Sequence, residues 1–185
     1  MKRMIEGTFR VATAACVLAL PAIASAAITA ADHADVKFVA VGPAGLRIVG
    51  ESTSLRLTDD AQFLTVSVPL DALATGIGLR DHHMKEKYLE VAKYPNATLK
   101  VERKALQLPA PGAKTSRDAQ GELTLHGKTK RITFHYDAEA AGSGFTVSAA
   151  LKVNMTDFGI EAPSYLGMSV KPEVAIDVHF HASGN

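Results

Sequence analysis

The sequence predicts an all-β domain of about eight antiparallel strands, each with one apolar face, and a single inserted helix. Three observations carry this. Apolar and polar residues alternate with period two in segment after segment. One segment, 81–93, breaks that alternation and is rich in helix formers. Links containing Gly and Pro punctuate the rest.

In chain order, the first strands fall at 36–41 and 46–57, the second interrupted near 50–54 where a bulge or bend fits. Leu64, Val66, Val68 and Leu70 share one face of the next. The helix follows: Asp81 can cap it, Met84, Tyr88 and Val91 form an apolar stripe, and Pro95 ends it. Ala97, Leu99 and Val101 resume the alternation. After a loop expected over 108–120, which holds Pro109, Pro111 and Gly112, come Leu123 and Leu125, then Ile132, Phe134 and Tyr136. The last two strands carry Phe145, Val147, Ala149, Leu151 and Val153, then Val170, Val174, Ile176, Val178 and Phe180.

Strands of this kind can close into a barrel and so remove exposed edges. The interior then either fills with side chains or holds one small ligand. Ala97, Ala149 and Gly50 are small inward residues, and the chain has no Trp to fill a centre. Aliphatic walls favour an apolar guest, since a polar one would lose hydrogen bonds to water. A packed two-sheet sandwich without a cavity fits the same pattern.

Composition excludes several classes. With 47% hydrophobic residues the chain is not disordered, and 20 Lys and Arg against 19 Asp and Glu leave no broad cationic footprint for nucleic acid. The single cysteine, Cys16, excludes a disulfide scaffold or a Cys-rich zinc site.

The N-terminus reads as a signal peptide over 1–26. Lys2, Arg3 and Arg10 precede an apolar run over 11–20, and Ala24-Ser25-Ala26 supplies a cleavage site after Ala26. The run is far shorter than the ~18 residues a membrane span needs, so no integral membrane segment is expected after cleavage. Cys16 is not expected to be a lipid attachment site, because Thr13-Ala14-Ala15 precedes it and the apolar run continues past it. The expectation is a periplasmic protein with one domain over 27–185.

Three segments carry a family resemblance: TGIGLRDHHMKEKYLEVAKYPNATL at 75–99, GELTLHGKTK at 121–130, and Asp157-Phe158-Gly159-Ile160. In this order they resemble the signature of the YceI-like family, over roughly 34–182. The opening Ala34-Asp35-Val36-Lys37-Phe38 departs from that family's usual start. The resemblance implies an exported, lipocalin-like antiparallel barrel with a long apolar tunnel holding an isoprenoid chain.

On that reading the candidate tunnel residues are Val66, Val68, Leu99, Val101, Phe134, Tyr136, Val147, Leu151, Ile176 and Val178, with Met84 and Tyr88 from a helix lying over one mouth. Tyr88 or Tyr136 can offer a hydrogen bond to a quinone or hydroxyl head. Arg80 is a candidate head-group contact, or else a local structural pair. No catalytic residues, metal or cofactor are expected. His126 lacks a partner nucleophile motif and reads as a turn residue, and Asp157 and Gly159 read as a turn. His179 and His181 share a strand face, a spacing that can chelate Zn²⁺ or Cu²⁺, though solvated histidines fit as well. Lys85, Lys87 and Lys93 read as a solvated helix face.

The expected partner is an isoprenoid lipid or quinone, bound by a monomer or homodimer that carries rather than converts it. The competing readings are a filled-core stress-response or interaction module and a His-based metal-binding protein.

Overall fold

The structure is a computed structural model; it describes residues 28–30, 33–60, 62–142, 144–165 and 167–184. The expected signal peptide and its cleavage point lie outside these residues. The strands are β1 (Ile28–Ala30), β2 (Asp35–Val41), β3 (Arg47–Ser52), β4 (Arg56–Asp59), β5 (Phe63–Pro69), β6 (Asn96–Glu102), β7 (Lys114–Leu125), β8 (Lys128–Ala141), β9 (Gly144–Asn154), β10 (Ser164–Tyr165), β11 (Met168–Ser169) and β12 (Glu173–Gly184).

Ten of them form one antiparallel sheet in the order β3-β2-β12-β9-β8-β7-β6-β5-β4, with β1 pairing β12; β10 and β11 make a separate small hairpin. The main sheet exceeds the expected eight strands for two reasons. The 46–57 segment divides at its expected break into β3 and β4, and β1 adds to the far half of β12. The opening strand β2, despite its unusual sequence, pairs in continuous register with both β12 and β3.

The sheet curls so that its apolar face turns inward. Its edges β3 and β4 do not pair with each other among the described residues. The seam is tied instead by backbone hydrogen bonds from Glu51 to Ala74 (2.8 Å) and back (2.9 Å). Elsewhere β1 lies against β4. Arg103 Nη2 reaches Asp59 Oδ2 at 3.3 Å, an ion pair with both side chains largely out of water, which holds β4 to the turn after β6.

Three expectations are corrected here. The stretch expected as a loop over 108–120 is strand from Lys114 onward. It escaped detection because β7 and β8 form a long two-stranded hairpin in which Lys114, Ser116, Arg117 and Asp118 stay exposed, so no apolar alternation marks it. The helix expected over 81–93 is shorter and earlier. It comprises α1 (Gly78–His83) and one wide π turn (Met84–Tyr88), in which Leu89 N–H donates to Met84 C=O at 2.9 Å. Glu90 then takes a left-handed conformation, φ 46°, and its carbonyl accepts from the N–H groups of Lys93 and Tyr94, turning the chain towards β6.

Asp81 does not cap the helix. It sits inside the first turn and reaches back to accept from Thr75 N–H at 2.7 Å and from the Thr75 hydroxyl.

Gly50 on β3 faces Phe38 across the β2–β3 pair, and a Cβ there would lie 2.2 Å from the ring. The glycine gives that ring its place in the wall. Gly50→Ala is therefore expected to cost about 1–3 kcal/mol through overpacking. Gly78→Ala, which has open space around it, should be neutral or stabilising by at most ~1 kcal/mol from helix propensity. Chemical denaturation of the two variants beside the parent checks the contrast.

Candidate functional site

The inward face encloses a cavity of about 870 Å³ that opens to solvent at one end. This lies toward the upper end of the ~300–1,000 Å³ range of small-molecule sites. The walls come from all round the sheet: Val36, Phe38 and Ala40 of β2, Ile48 of β3, Val66 and Val68 of β5, Ala97 and Leu99 of β6, Leu123 and Leu125 of β7, Leu151 and Val153 of β9, and Val174, Ile176 and Val178 of β12. These positions turn inward because residues two apart on a strand share a face.

Of the residues expected to line a tunnel, the structure places Val66, Val68, Leu99, Leu151, Ile176 and Val178 on the wall and Met84 and Tyr88 at the helical end, with Arg80 beside them. Val101, Phe134, Tyr136 and Val147 do not line the cavity. They also turn inward, but towards the opposite end, where the segment after β6 folds across the sheet. Leu106 packs there against both apolar clusters, and Leu108 joins the cluster around Leu64, Phe180 and Ala182. Val101, Phe134 and Tyr136 are almost fully buried. The Tyr136 hydroxyl is occupied as well: Gln107 N–H donates to it at 2.8 Å, and it donates to the Gln107 carbonyl at 3.3 Å. It therefore pins the plug and is not free for a head group. The packed two-sheet sandwich without a cavity is not what forms: one sheet curls round a cavity and is filled only at the opposite end.

The open end is built from α1 and its π turn, the Pro43–Gly45 turn, and the 163–168 hairpin region. Ile77, Leu79, Pro43, Pro163, Ser164 and Met168 line it. Sequence reading missed these residues because they sit on turns, in the short helix α1 and in the two-residue strands β10 and β11, outside any periodic strand. Their one local signal was the pair of apolar residues in the TGIGL stretch. Among the described lining residues the basic side chains are Arg80, His83 and Lys87, and there is no carboxylate.

Arg80 is partly committed to local structure: its Nε donates to the Thr75 hydroxyl at 2.7 Å and its Nη2 to the Thr75 carbonyl at 2.8 Å. Thr75 thus joins Arg80 and Asp81, and the three fix the helix entry beside the opening. The Thr75 hydrogen bonds, the hydroxyl's above all, hold the Asp81 carboxyl below its ordinary value.

The three sequence signatures meet just behind the cavity. His126, in the tight β7–β8 turn at φ 50°, has its ring 4.7 Å from Tyr94 in an edge arrangement, and its Nδ1 lies 3.3 Å from the Phe158 carbonyl. His126 Nε2 is buried without a hydrogen-bond partner among the described residues, with Glu90 Oε2 at 3.9 Å. Phe158 is 1% exposed. The turn reading of His126, Asp157 and Gly159 agrees with this placement: Met155–Phe158 is a 3₁₀ turn ended by Gly159 at φ 76°.

The histidines of β12 face the outer surface. His179 Nδ1 is 2.8 Å from Ser148 Oγ, and His181 Nδ1 is 3.5 Å from Thr146 Oγ1. Among the described residues no group of three or more His, Cys, Asp or Glu is arranged to hold a metal. A shallow cleft of about 230 Å³ on this outer face is lined by Asp35, Lys37, His135, Asp137, Asp177 and His179. There the hydrogen bond to Asp118 raises the His135 imidazole.

The YceI-like domain family matches residues 5–182 of the sequence. The chain belongs to the YceI-like family. Relatives include UPF0312 proteins of Pseudomonas savastanoi and Pseudomonas syringae, each 30% identical over 125 residues that make up 64% of this chain and 62% of the relative. The chain therefore spans under two thirds of the length of these curated relatives.

Among solved structures, the fold is similar to a polyisoprenoid binding domain from Saccharophagus degradans, with TM-score 0.73 and 18% identity over 86% of this chain and 99% of that one. It is also similar to BcnA of Burkholderia cenocepacia, with TM-score 0.64 and 20% identity over 81% of this chain and 96% of that one. A Campylobacter jejuni YceI protein aligns with TM-score 0.57 and 17% identity over 75% of this chain and 85% of that one. In the YceI-like family member described here, the cavity and its opening are the candidate site.

Asp81 sets a pH dependence that tests the helix entry. A carboxylate whose folded pKa is depressed contributes stability that is complete above its unfolded value, here 3.8, and lost as pH falls through the lowered folded value. Asp81→Asn should lower stability at pH 7 and flatten the acid limb of the stability profile. Denaturation midpoints between pH 7 and about pH 2.5 measure both.

Proposed function

We propose that this protein is a periplasmic carrier for an apolar isoprenoid lipid, a polyisoprenoid or an isoprenoid quinone, held with its chain in the barrel and its head at the open end. The observation that carries this reading is the cavity itself: a large void walled mostly by aliphatic side chains. A void of that kind is costly unless a guest fills it, and water is a poor guest between walls that offer it so few partners. Each CH₂ transferred from water contributes about 0.8 kcal/mol, so a long hydrocarbon binds tightly with little polar help. That a protein of the same fold in Saccharophagus degradans is a polyisoprenoid binding domain supports the same ligand class.

The polar groups at the opening then set which head is tolerated. Tyr88 is the tyrosine among the described lining residues and can donate to a quinone carbonyl or hydroxyl; Arg80 keeps one guanidinium nitrogen outside its Thr75 contacts. The reading includes no reaction and no cofactor. It takes the N-terminal segment as an export signal removed after Ala26, and it accommodates a monomer or a homodimer. No described helix is long and apolar enough to cross a membrane.

Native mass spectrometry of protein purified from its own host, followed by extraction, should release an isoprenoid lipid. Protein that is consistently empty and that takes up neither added polyprenol nor added quinone would overturn the carrier role. Ala97→Phe projects a ring into the void and should reduce lipid retention at least about tenfold while the far-ultraviolet spectrum stays unchanged. Arg80→Ala separates the two roles of that residue: unaltered retention excludes a head-group contact.

A further inference from the structure

We propose that the open end of the cavity is a membrane-docking surface that seats on anionic lipid bilayers, so that the guest passes between bilayer and barrel without crossing water; this rests on the carrier reading above. The inference starts from exposed side chains. Single exposed apolar residues are ordinary, and scatter over a surface needs no explanation. Here they do not scatter. Among the described residues, the large apolar side chains left strongly exposed are Leu46, Ile77, Leu79 and Met168, at 61%, 54%, 67% and 53%. Ile77, Leu79 and Met168 all line the opening. Leu46 closes the neighbouring turn, where its N–H donates to the carbonyl of Pro43, itself a lining residue. Three separate parts of the chain thus bring greasy tips to one rim.

The charges at the rim choose the partner. Arg80 and Lys87 line the same opening, and no carboxylate does among the described residues. Over the whole chain the charge is balanced, with 20 basic and 19 acidic residues, so this local excess is a property of the rim and not of the composition, though Asp81, which shares Thr75 with Arg80, offsets part of it. Apolar tips ringed by cations match the boundary between acyl chains and anionic head groups, where the tips leave water and each cation meets negative surface potential. A protein partner with a hydrophobic acidic patch would answer to the same charges. The bilayer is favoured because the apolar tips border the void that its own lipids would enter. Two cations give a weak, salt-sensitive attachment, which suits a carrier that has to leave again.

The absence of Trp from the chain makes the test direct. A Leu79→Trp variant reports from the rim, and a Lys114→Trp variant reports from the exposed start of β7, the opposite end of that strand from its lining residues Leu123 and Leu125. The variants are mixed with vesicles of phosphatidylcholine alone or with about a third phosphatidylglycerol. With anionic vesicles the rim Trp should shift to the blue and lose accessibility to acrylamide, the β7 Trp should change little, and added salt should reverse the effect. In a Trp-reporting background, Ile77→Ser with Met168→Ser should weaken vesicle binding at least about tenfold.

A rim Trp that stays fully quenchable while vesicles are in excess overturns the proposal, as does equal burial of both reporters. Lipid content by native mass spectrometry is read on the same samples, so the two ideas fail separately. Empty protein that still buries its rim Trp removes the carrier and keeps the docking surface; loaded protein that never does so removes the docking surface and keeps the carrier.

Discussion

Ten antiparallel strands share one apolar face, and that face has to leave water without a second layer to cover it. The sheet meets this demand by curling upon itself. Everything else follows from how completely the curl is filled. Strands such as β5, β6 and β12 present Val, Ile, Leu and Ala inward, side chains too short to meet across the middle. At one end, Leu106, Phe134 and Tyr136 close the gap. At the other, Phe38, Met84 and Tyr88 stand on the wall without meeting across the middle, and the cavity remains.

The boundary between the packed and hollow ends is set by loops. The segment after β6 crosses one end and is secured by the Gln107–Tyr136 hydrogen bonds. At the other end Thr75, Arg80 and Asp81 bind one another and fix the entry of α1 beside the opening. The π turn that follows is wider than an α-helical turn and is the part of the helix that carries Met84 and Tyr88 over the void.

Behind the hollow end, three distant pieces of chain are held as one unit. The β7–β8 turn supplies His126 and Gly127, the helix exit supplies Glu90 and Tyr94, and the 155–160 turn supplies the Phe158 carbonyl. A side chain at 127 would strike the Tyr94 ring at 2.5 Å, and its φ of 72° is one that glycine takes freely. The sequence signatures that mark this family thus coincide with a structural junction. At that junction the turns pack closely against one another.

Local chemistry made the strands legible. Period-two alternation depends only on which neighbours face water, and that is decided within each strand: β5, β6, β8, β9 and β12 could be read directly. The same logic located the inward set, because a residue's face follows from its parity along the strand. Alternation failed where no core exists to impress it, as in the outer half of β7. It also failed to place the helix, whose start is set by Thr75 reaching Asp81 and whose end is set by a left-handed Glu90.

What parity could not supply is depth. Val66 and Val101 both point inward, yet one lines a void and the other is sealed in core. The difference depends on strand tilt, on register between neighbours, and on which loop folds over which end, all of them relations between residues far apart in the chain. The rim of exposed Leu46, Ile77, Leu79 and Met168 belongs to the same class, since it exists only once three separate turns are brought together.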